Sequence, residues 1–242
     1  RGIKKDFKEA LKWNKQAADL GNTRAMNNYA DQLIKGDGCM KNKKAAIPYL
    51  ETSASKGDPH GIYMLGLCYE NGDGVEANMY TAAQKYSEAA EKGDEDAMLK
   101  AAEILIEGQY LAKNATKAYE YYMVLADKGN IYSCVKMGQH LEEAGQFSDA
   151  AAFYATAAEK EDSVGMYSYG KLLLEGKGVE KDVSKGVKLI SKAADKEHPA
   201  ALTKYGTILL SGAFDVKKNE KKGFKMIKQA VDLGDKDALH HM

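Results

Sequence analysis

Small and apolar residues recur along this chain at a nearly constant interval. A short motif marks each interval. It consists of two small or apolar residues, two variable residues and usually a glycine, and its last residue serves as a reference position. That position falls at Gly21, Gly57, Gly93, Gly129, Glu161, Glu197 and Gly234. The interval is about 36 residues, with one step shortened to 32 and the last lengthened to 37. Such a period indicates stacked repeats of one supersecondary unit.

Two stripes of each repeat have helical spacing. After the reference position, small residues stand at +4 and +9, apolar residues at +5 and +12, and usually a glycine at +15. Before it, a small residue stands at −11 and large apolar residues at −8 and −7. Spacings of three and four predict helices rather than strands, and glycine favours their ends. We therefore expect a first helix, for example roughly Pro59 to Asn71, and a second helix, for example Asp6 to Asp19.

These residues carry a resemblance to a known family. Residues 61–75 (GIYMLGLCYENGDGV), the loop 175–182 and the second-helix stretch 117–122 resemble the Sel1-like repeat. That repeat is similar to the tetratricopeptide repeat but has a longer loop between its helices. The resemblance covers essentially the whole chain. It implies an all-α fold, a right-handed α-α superhelical solenoid, with a role in protein–protein interaction.

The repeat pattern predicts one solenoid over residues 1–242, with about six repeats and incomplete units at both ends. The chain opens on a second helix and closes part-way through a first helix at Met242. Neither end shows the polar capping repeat that solenoids normally need. We therefore expect the chain to be a segment of a longer protein. Around residues 143–150 the long loop is missing, and a shorter tetratricopeptide-like turn is predicted there.

Composition narrows the partners. The chain has 35 Lys and Arg against 35 Asp and Glu, so it lacks the basic excess typical of nucleic-acid binding. No apolar stretch is long enough to insert into a membrane. Cys39, Cys68 and Cys134 are too widely spaced for a disulfide framework or zinc site, which favours a reducing compartment. We expect other proteins as partners and a cytoplasmic location, with the ER lumen as the alternative.

Isolated motifs that resemble catalytic ones fall on repeat positions. Ser-x-x-Lys occurs at Ser53 to Lys56 and at Ser133 to Lys136, but no Ser-Asp-Asn or Lys-Thr-Gly accompanies it. Residues 72–77 fit a loose G-x-G-x-x-A fingerprint, yet they follow a predicted helix, whereas the dinucleotide fingerprint follows a strand. These motifs are interpreted as structural. We predict no enzymatic activity, no cofactor and no metal site.

The histidines support the same interpretation. His60 and His198 lie at predicted helix starts, and the sequence places no second metal ligand close to either of them. His140 falls in a mostly apolar column and is predicted to pack. The adjacent pair His240 and His241 would diverge by about 100° on a helix and make a poor metal pair.

Partner binding is expected on the first helices. In the related tetratricopeptide architecture the first helix of each pair lines the concave surface, and positions +6 and +10 are the expected exposed ones. Their residue types vary between repeats, which suits recognition of an extended peptide or a helix. The predicted partner-binding residues are Asn27, Asp31, Tyr63, Leu67, Leu99, Glu103, Val135, Gln139, Tyr167, Lys171, Thr203 and Thr207.

The sequence supports one leading function and leaves two others open. The leading hypothesis is a scaffold or adaptor that presents a concave groove to a partner peptide or helix. The alternatives are a structural building block in a large assembly and a regulatory segment of a multidomain enzyme such as a kinase. The sequence does not identify the partner.

Overall fold

The computed structural model describes residues 6–241, and the regular elements in that range are all helices, which confirms the predicted all-α class. Every α-helix has 13 residues. The helices are α1 (Phe7–Asp19), α2 (Thr23–Lys35), α3 (Lys43–Ser55), α4 (Pro59–Asn71), α5 (Met79–Glu91), α6 (Glu95–Glu107), α7 (Ala115–Asp127), α8 (Ile131–Glu143), α9 (Phe147–Glu159), α10 (Ser163–Glu175), α11 (Val183–Asp195), α12 (Pro199–Ser211) and α13 (Glu220–Asp232), with 3-10 turns at Ala213–Asp215 and Asp237–His241.

The chain forms two compact units, Arg1–Tyr122 and Met123–Met242, whose boundary falls within α7. Even-numbered helices are the predicted first helices, and odd-numbered helices are the second helices. Within each unit, consecutive helices pack on one another, as in α2 with α3 or α10 with α11. Each helix therefore buries its apolar stripe against its neighbours in sequence, as expected for stacked repeats.

A column of polar residues at position +1 starts the first helices. Asn22, Asp58, Asp94, Asn130 and Asp162 each accept a hydrogen bond from the backbone N–H three residues later, at 2.8–2.9 Å. His198 does the same for α12 through Nδ1, at 3.2 Å. These side chains satisfy an amide that would otherwise have no partner in the first turn. The column was not recognised in the sequence, although it follows the reference position directly.

The reference position itself lies in the left-handed region of backbone conformation. Glycine occupies it with least strain, but Glu161 and Glu197 adopt it with φ of 59° and 61°. The turn between the second helix and the next first helix thus keeps its backbone conformation where glutamate replaces glycine. At the other end of the repeat, glycines at +15 terminate most first helices in the same conformation, for example Gly72 at φ 71°.

The predicted helix bounds are confirmed at two places. The first helix expected at Pro59 to Asn71 is α4, and the second helix expected at Asp6 to Asp19 is α1 with Asp6 as its cap. The predicted short turn is also present, because only residues 144–146 separate α8 from α9. The incomplete first helix expected at the C-terminus is a 3-10 turn, Asp237–His241, and Met242 lies outside the described residues.

Close approach of each first helix to the next second helix depends on positions +9 and −11. In two repeats a glycine at +9 makes room for a buried tyrosine ring. A Cβ atom at Gly66 would lie 2.7 Å from Cε1 of Tyr86, and one at Gly138 would lie 2.6 Å from Cε1 of Tyr154. The glycine and the ring therefore form a complementary pair, and neither can be enlarged without displacing the other.

In the last two repeats the space is used differently. Glycines stand at both +9 and −11, so the two backbones meet directly. A Cβ atom at Gly170 would lie 2.9 Å from the carbonyl oxygen of Gly186, and Gly206 faces Gly223 in the same way. The second helices carry Ile190 and Ile227 in place of tyrosine, and both are fully buried. The smaller side chain suits the closer backbones.

The helices are short compared with the thickness of a bilayer. Thirteen residues correspond to roughly 20 Å, which is shorter than a bilayer core. Within residues 6–241, no helix combines the length and the apolar character needed to cross a membrane.

We predict that Gly170→Ala destabilises the protein by about 1–3 kcal/mol, because the added methyl group would lie 2.9 Å from both the backbone oxygen of Gly186, which cannot rotate away, and Cγ1 of the buried Ile190. The free energy of unfolding, measured by urea denaturation, checks this. In an unobstructed helix the same change stabilises by about 0.5–1 kcal/mol. An increase in stability would therefore contradict the proposed backbone contact.

Candidate partner-binding surfaces on the first helices

The six residues at position +6 are less exposed than expected. Tyr63, Leu99 and Tyr167 are half-buried, whereas Asn27, Val135 and Thr203 have relative exposures of 4%, 7% and 6%. The expectation that this column is exposed is therefore wrong for those three residues. Whether the half-buried members bind a partner stays a prediction.

Contacts between neighbouring repeats explain this burial. Asn27 donates from Nδ2 to Oδ1 of Asp58, the cap of the next first helix, at 2.9 Å. Thr203 donates from Oγ1 to the carboxylate of Asp235, at the corresponding position of its own following repeat. Val135 packs in an apolar cluster that includes Cys134. Position +6 thus serves the stacking of repeats, a role that the helix pattern alone could not reveal.

Position +10 lies one turn further along each first helix and is more open. Glu103 and Gln139 are exposed, and Asp31, Leu67, Lys171 and Thr207 are half-buried. Asp31 pairs with Lys35 at 2.7 Å. Thr207 donates from Oγ1 to the backbone oxygen of Thr203. The six residues of each unit are called its first-helix surface. They are Asn27, Asp31, Tyr63, Leu67, Leu99 and Glu103 in unit 1, and Val135, Gln139, Tyr167, Lys171, Thr203 and Thr207 in unit 2.

Lys171 belongs to a half-buried polar network. Its Nζ donates to Oε1 of Glu142 at 2.7 Å, and the hydroxyl of Tyr154 donates to Oε2 of the same carboxylate at 2.9 Å. Burial opposes ionisation of Glu142, but these two hydrogen bonds overcome it and hold its pKa below the ordinary value. The positive charge of Lys171 is therefore balanced by the carboxylate of Glu142.

Unit 1 contains an equivalent network on different helices. Glu70 accepts from the hydroxyl of Tyr86 and from Nζ of Lys100, at 3.0 Å to Oε1. Burial raises the pKa of Tyr86 far above its ordinary value, and the hydrogen bond to Glu70 adds to the shift. Both tyrosines thus remain protonated and act as donors. A carboxylate of a first helix held by a Tyr and a Lys of the next repeat is a shared structural device.

An acidic cavity of about 580 Å³ opens beside the starts of α4 and α6 in unit 1. It is called the N-terminal cavity. The charged residues that line it are Arg24, Asp58, His60, Asp94, Glu95 and Asp96. His60 Nδ1 lies 3.2 Å from Oδ2 of Asp94, and this hydrogen bond raises the pKa of the imidazole. The sequence showed no second ligand for His60, and the fold supplies this one from 34 residues away.

Three of these side chains, His60, Asp94 and Asp96, could together hold a metal ion. One donor atom each from His60, Asp94 and Asp96 lie within 4.8 Å of one another. The protein also gives two of these groups roles of their own. Asp94 caps α6 through its other oxygen, and His60 is paired with it. Asp96 lies in the first turn of α6, where the helix dipole favours a negative charge.

A second cavity, of about 380 Å³, lies on α12 in unit 2 and is called the C-terminal cavity. Tyr167, Thr203 and Thr207, three predicted partner-binding residues, line it together. Tyr167 stacks on His198 with ring centroids 5.0 Å apart and an interplanar angle of 24°. Burial lowers the pKa of His198, so the imidazole is neutral near pH 7.

Sequence reasoning missed several residues of this cavity. Phe214, Asp235 and Asp237 also line it, and none of them lies at position +6 or +10. A signal was available, because the last repeat step is one residue longer than the usual 36. A departure from a repeat pattern marks a place where local structure serves another purpose.

The Ser-x-x-Lys motifs do not assemble. Ser53 and Ser133 are fully buried, and their hydroxyl oxygens have no hydrogen-bond partner. Lys56 instead donates to the carbonyl oxygen of Gly21 at 2.7 Å, and Nζ of Lys136 lies 5.2 Å from the ring centre of Tyr132. In each motif the lysine therefore contacts another partner and not the serine.

The other candidate motifs also have structural roles. Gly74 of the loose dinucleotide fingerprint packs on the backbone of Lys43, where a Cβ atom would lie 2.4 Å from the carbonyl oxygen. Cys68 and Cys134 are buried free thiols, and burial raises the pKa of Cys68 to about 11. A thiol of that kind stays protonated and unreactive at neutral pH. His140 is half-buried, in agreement with its predicted packing role.

The repeats seen in the sequence and the helix pairs of both units match a known family. The Sel1 repeat matches residues 1–22, 23–58, 59–94, 95–130, 163–198 and 199–235. The chain belongs to the Sel1 repeat family. Residues 131–162, which the matches omit, form the repeat whose interhelix loop is shortened. Sel1 repeat proteins are generally non-catalytic scaffolds that take part in protein–protein interactions.

Solved structures of two other proteins share the fold. One is c5321, a protective antigen of uropathogenic Escherichia coli strains, with 24% identity and a TM-score of 0.82 over 98% of this chain. The chain spans 52% of that antigen, about half its length. The other is a Sel1 repeat protein from Oxalobacter formigenes, with 23% identity, a TM-score of 0.71 and 94% of both chains covered. The curated proteins include no significant match.

We predict that His198 makes the Sel1 chain less stable in mild acid. Its folded pKa is lowered by burial, so its contribution is present above the unfolded pKa of about 6.5 and is lost as the pH falls through the folded pKa. His198→Asn keeps a capping side chain, as at Asn22 and Asn130. Thermal unfolding between pH 5 and 8 should show the wild type losing stability relative to this variant as pH falls. Parallel curves would contradict the prediction.

We predict the opposite slope for His60. Its pKa is raised by Asp94, so its contribution is present below the unfolded pKa of about 6.5 and is lost as pH rises through the folded pKa. His60→Gln should therefore cost stability in mild acid and little above neutrality. The same unfolding series measures this, and an equal cost at every pH would argue against the ion pair.

Proposed function

We propose that this Sel1 chain is a protein-interaction adaptor whose first-helix surfaces bind a partner peptide or helix. The observation that carries the proposal is the C-terminal cavity. Tyr167, Thr203 and Thr207 come from two successive first helices and open together to solvent there. A concave site that combines aromatic, hydroxyl and charged side chains offers both an apolar anchor and polar specificity.

Unit 1 supports the proposal with a different chemistry. Tyr63 and Leu67 are half-buried and lie four residues apart on α4, so they share one helix face. The ring of Tyr63 packs on Tyr86 at a centroid distance of 5.7 Å, which fixes its position. The N-terminal cavity begins beside it, at His60. An apolar patch next to a polar cavity suits a partner helix with one apolar and one charged face.

We place this function in a reducing compartment, with the cytoplasm as the leading choice. The three cysteines are free, and two of them are buried among apolar neighbours. Their positions contribute to packing without a disulfide, as is usual for proteins in reducing surroundings. No catalytic role is proposed for the chain.

Site-specific photo-cross-linking in cells of the source organism tests the proposal. A photoreactive residue is placed at Leu67, Gln139 or Thr207 on first helices, and at the exposed Gln84 or Lys188 on second helices as matched controls. We expect the first-helix positions to cross-link the same partner, and the second-helix positions to give at least about fivefold less product.

The pattern of cross-links decides between the functions. Equal cross-linking from second helices and first helices, to several neighbours, would overturn the adaptor proposal in favour of a structural building block. A cross-linked product confined to one first-helix position would restrict binding to that unit. Mass spectrometry of the product identifies the partner peptide in either case.

A further inference from the structure

The loop between α12 and α13 departs from its equivalents in the other repeats. Eight residues, 212–219, connect these helices, whereas seven residues, 176–182, connect α10 and α11. In the α10–α11 loop, Gly178 packs so closely on α9 that a Cβ atom would lie 2.3 Å from the carbonyl carbon of Phe147. The loop at 212–219 carries no glycine at the matching place.

Phe214 stands where that glycine would be. It adopts a left-handed backbone conformation with φ of 59°, and Asp215 follows with φ of 57°. Consecutive non-glycine residues in this conformation are strained, and strained residues are found most often at functional sites. The phenyl ring is 41% exposed and lines the C-terminal cavity. Phe214 thus supplies an aromatic wall at the place where the α10–α11 loop has a closely packed glycine.

Two carboxylates face the same cavity. Asp235 accepts a hydrogen bond from Thr203 Oγ1, and its Oδ1 accepts the N–H of Asp237 at 3.2 Å. These contacts hold Asp235 in place, while Asp237 is exposed. Lys204 is the one lysine or arginine among the lining residues. The site therefore presents two aspartates against a single lysine.

The aromatic side of the cavity is uncharged. Tyr167 is half-buried, and burial raises the pKa of its hydroxyl, an effect to which the nearby charges of Asp235 and Asp237 add. The imidazole of His198 that stacks on Tyr167 is neutral. Lys171 also acts on Tyr167 and lowers its pKa, but Nζ of Lys171 is paired with the carboxylate of Glu142.

We propose that the C-terminal cavity binds a cationic side chain of the partner, with arginine as the preferred residue. Tyr167 and Phe214 supply rings for a flat guanidinium, and Asp235 and Asp237 supply acceptors for its N–H groups. An anionic side chain would meet the two carboxylates instead. This inference rests on the proposed adaptor function and names the chemistry of the partner residue that the cavity recognises.

Short peptides test the charge requirement directly. The probe is acetyl-Gly-Gly-Arg-Gly-Gly-amide, titrated into the ¹⁵N-labelled chain and followed by NMR. The matched peptides carry citrulline, which keeps the shape but not the charge, or glutamate. We expect the arginine peptide to shift the amides of Thr203, Thr207 and Ala213, and the citrulline peptide to bind about tenfold more weakly.

Variants locate the binding groups. Asp237→Asn removes one charge without changing shape, and Phe214→Leu removes the ring but keeps an apolar side chain. Each should weaken binding of the arginine peptide by about fivefold or more. The controls are Asp232→Asn and Phe224→Leu, at exposed positions of α13 that do not line the cavity, and they should bind like the wild type. Unchanged amide positions elsewhere in the spectrum verify that each variant is folded.

Two kinds of result overturn the inference. One is equal binding of the citrulline or glutamate peptide, and the other is the absence of saturable shifts with the arginine peptide up to about 10 mM, which is weaker than ordinary millimolar recognition. The adaptor function is judged separately by cross-linking through Leu67 and Gln139. If those cross-links persist while the arginine peptide does not bind, the adaptor function is supported and the proposed binding of a cationic side chain in the C-terminal cavity is rejected.

Discussion

The close approach of each first helix to the next second helix is the constraint on which the rest of this structure depends. At Gly66 and Gly138 the missing side chain admits a buried tyrosine ring, and at Gly170 and Gly206 it admits the backbone of the neighbouring helix. Packing at this density leaves no room for a methyl group on either side. Where position +9 is glycine, the residue at −7 differs with the residue at −11: Tyr86 and Tyr154 each face a single glycine, whereas Ile190 and Ile227 accompany a pair of glycines.

This packing determines how much of each first helix remains for binding. Stacking brings position +6 against the capping residue of the following repeat, as with Asn27 and Asp58. It also brings a lysine of one repeat to a glutamate of the preceding one, as with Lys171 and Glu142. Several of the predicted partner-binding side chains thus hold neighbouring repeats together. The proposed recognition therefore involves mainly position +10 and the two cavities.

The two cavities show how a repeat protein varies its surface without changing its packing. The N-terminal cavity is acidic and contains His60 against Asp94, whereas the C-terminal cavity adds Tyr167 and Phe214 to its carboxylates. Loops carry such differences because they lie at the surface and tolerate insertion. The loop after α12, which is one residue longer than the α10–α11 loop, carries Phe214 into the cavity lining, while Gly206 and Gly223 keep the contact that Gly170 and Gly186 make in the preceding repeat.

The sequence alone determined the helix pairs, the bounds of α4 and α1, the short turn after α8 and the family, because helical spacing and turn glycines are local properties repeated several times over. It also placed Tyr167, Thr203 and Thr207 on first helices, since position in the repeat is enough to choose a helix, but their binding of a partner stays a prediction. Tertiary structure decided the rest. The burial of Asn27, Val135 and Thr203, the pairing of His60 with Asp94 and the meeting of Phe214 with Asp235 all depend on contacts between repeats. Residues about 20 to 34 positions apart become neighbours only when helices stack, and a pattern read along one helix carries no information about the side chains that the next repeat brings against it.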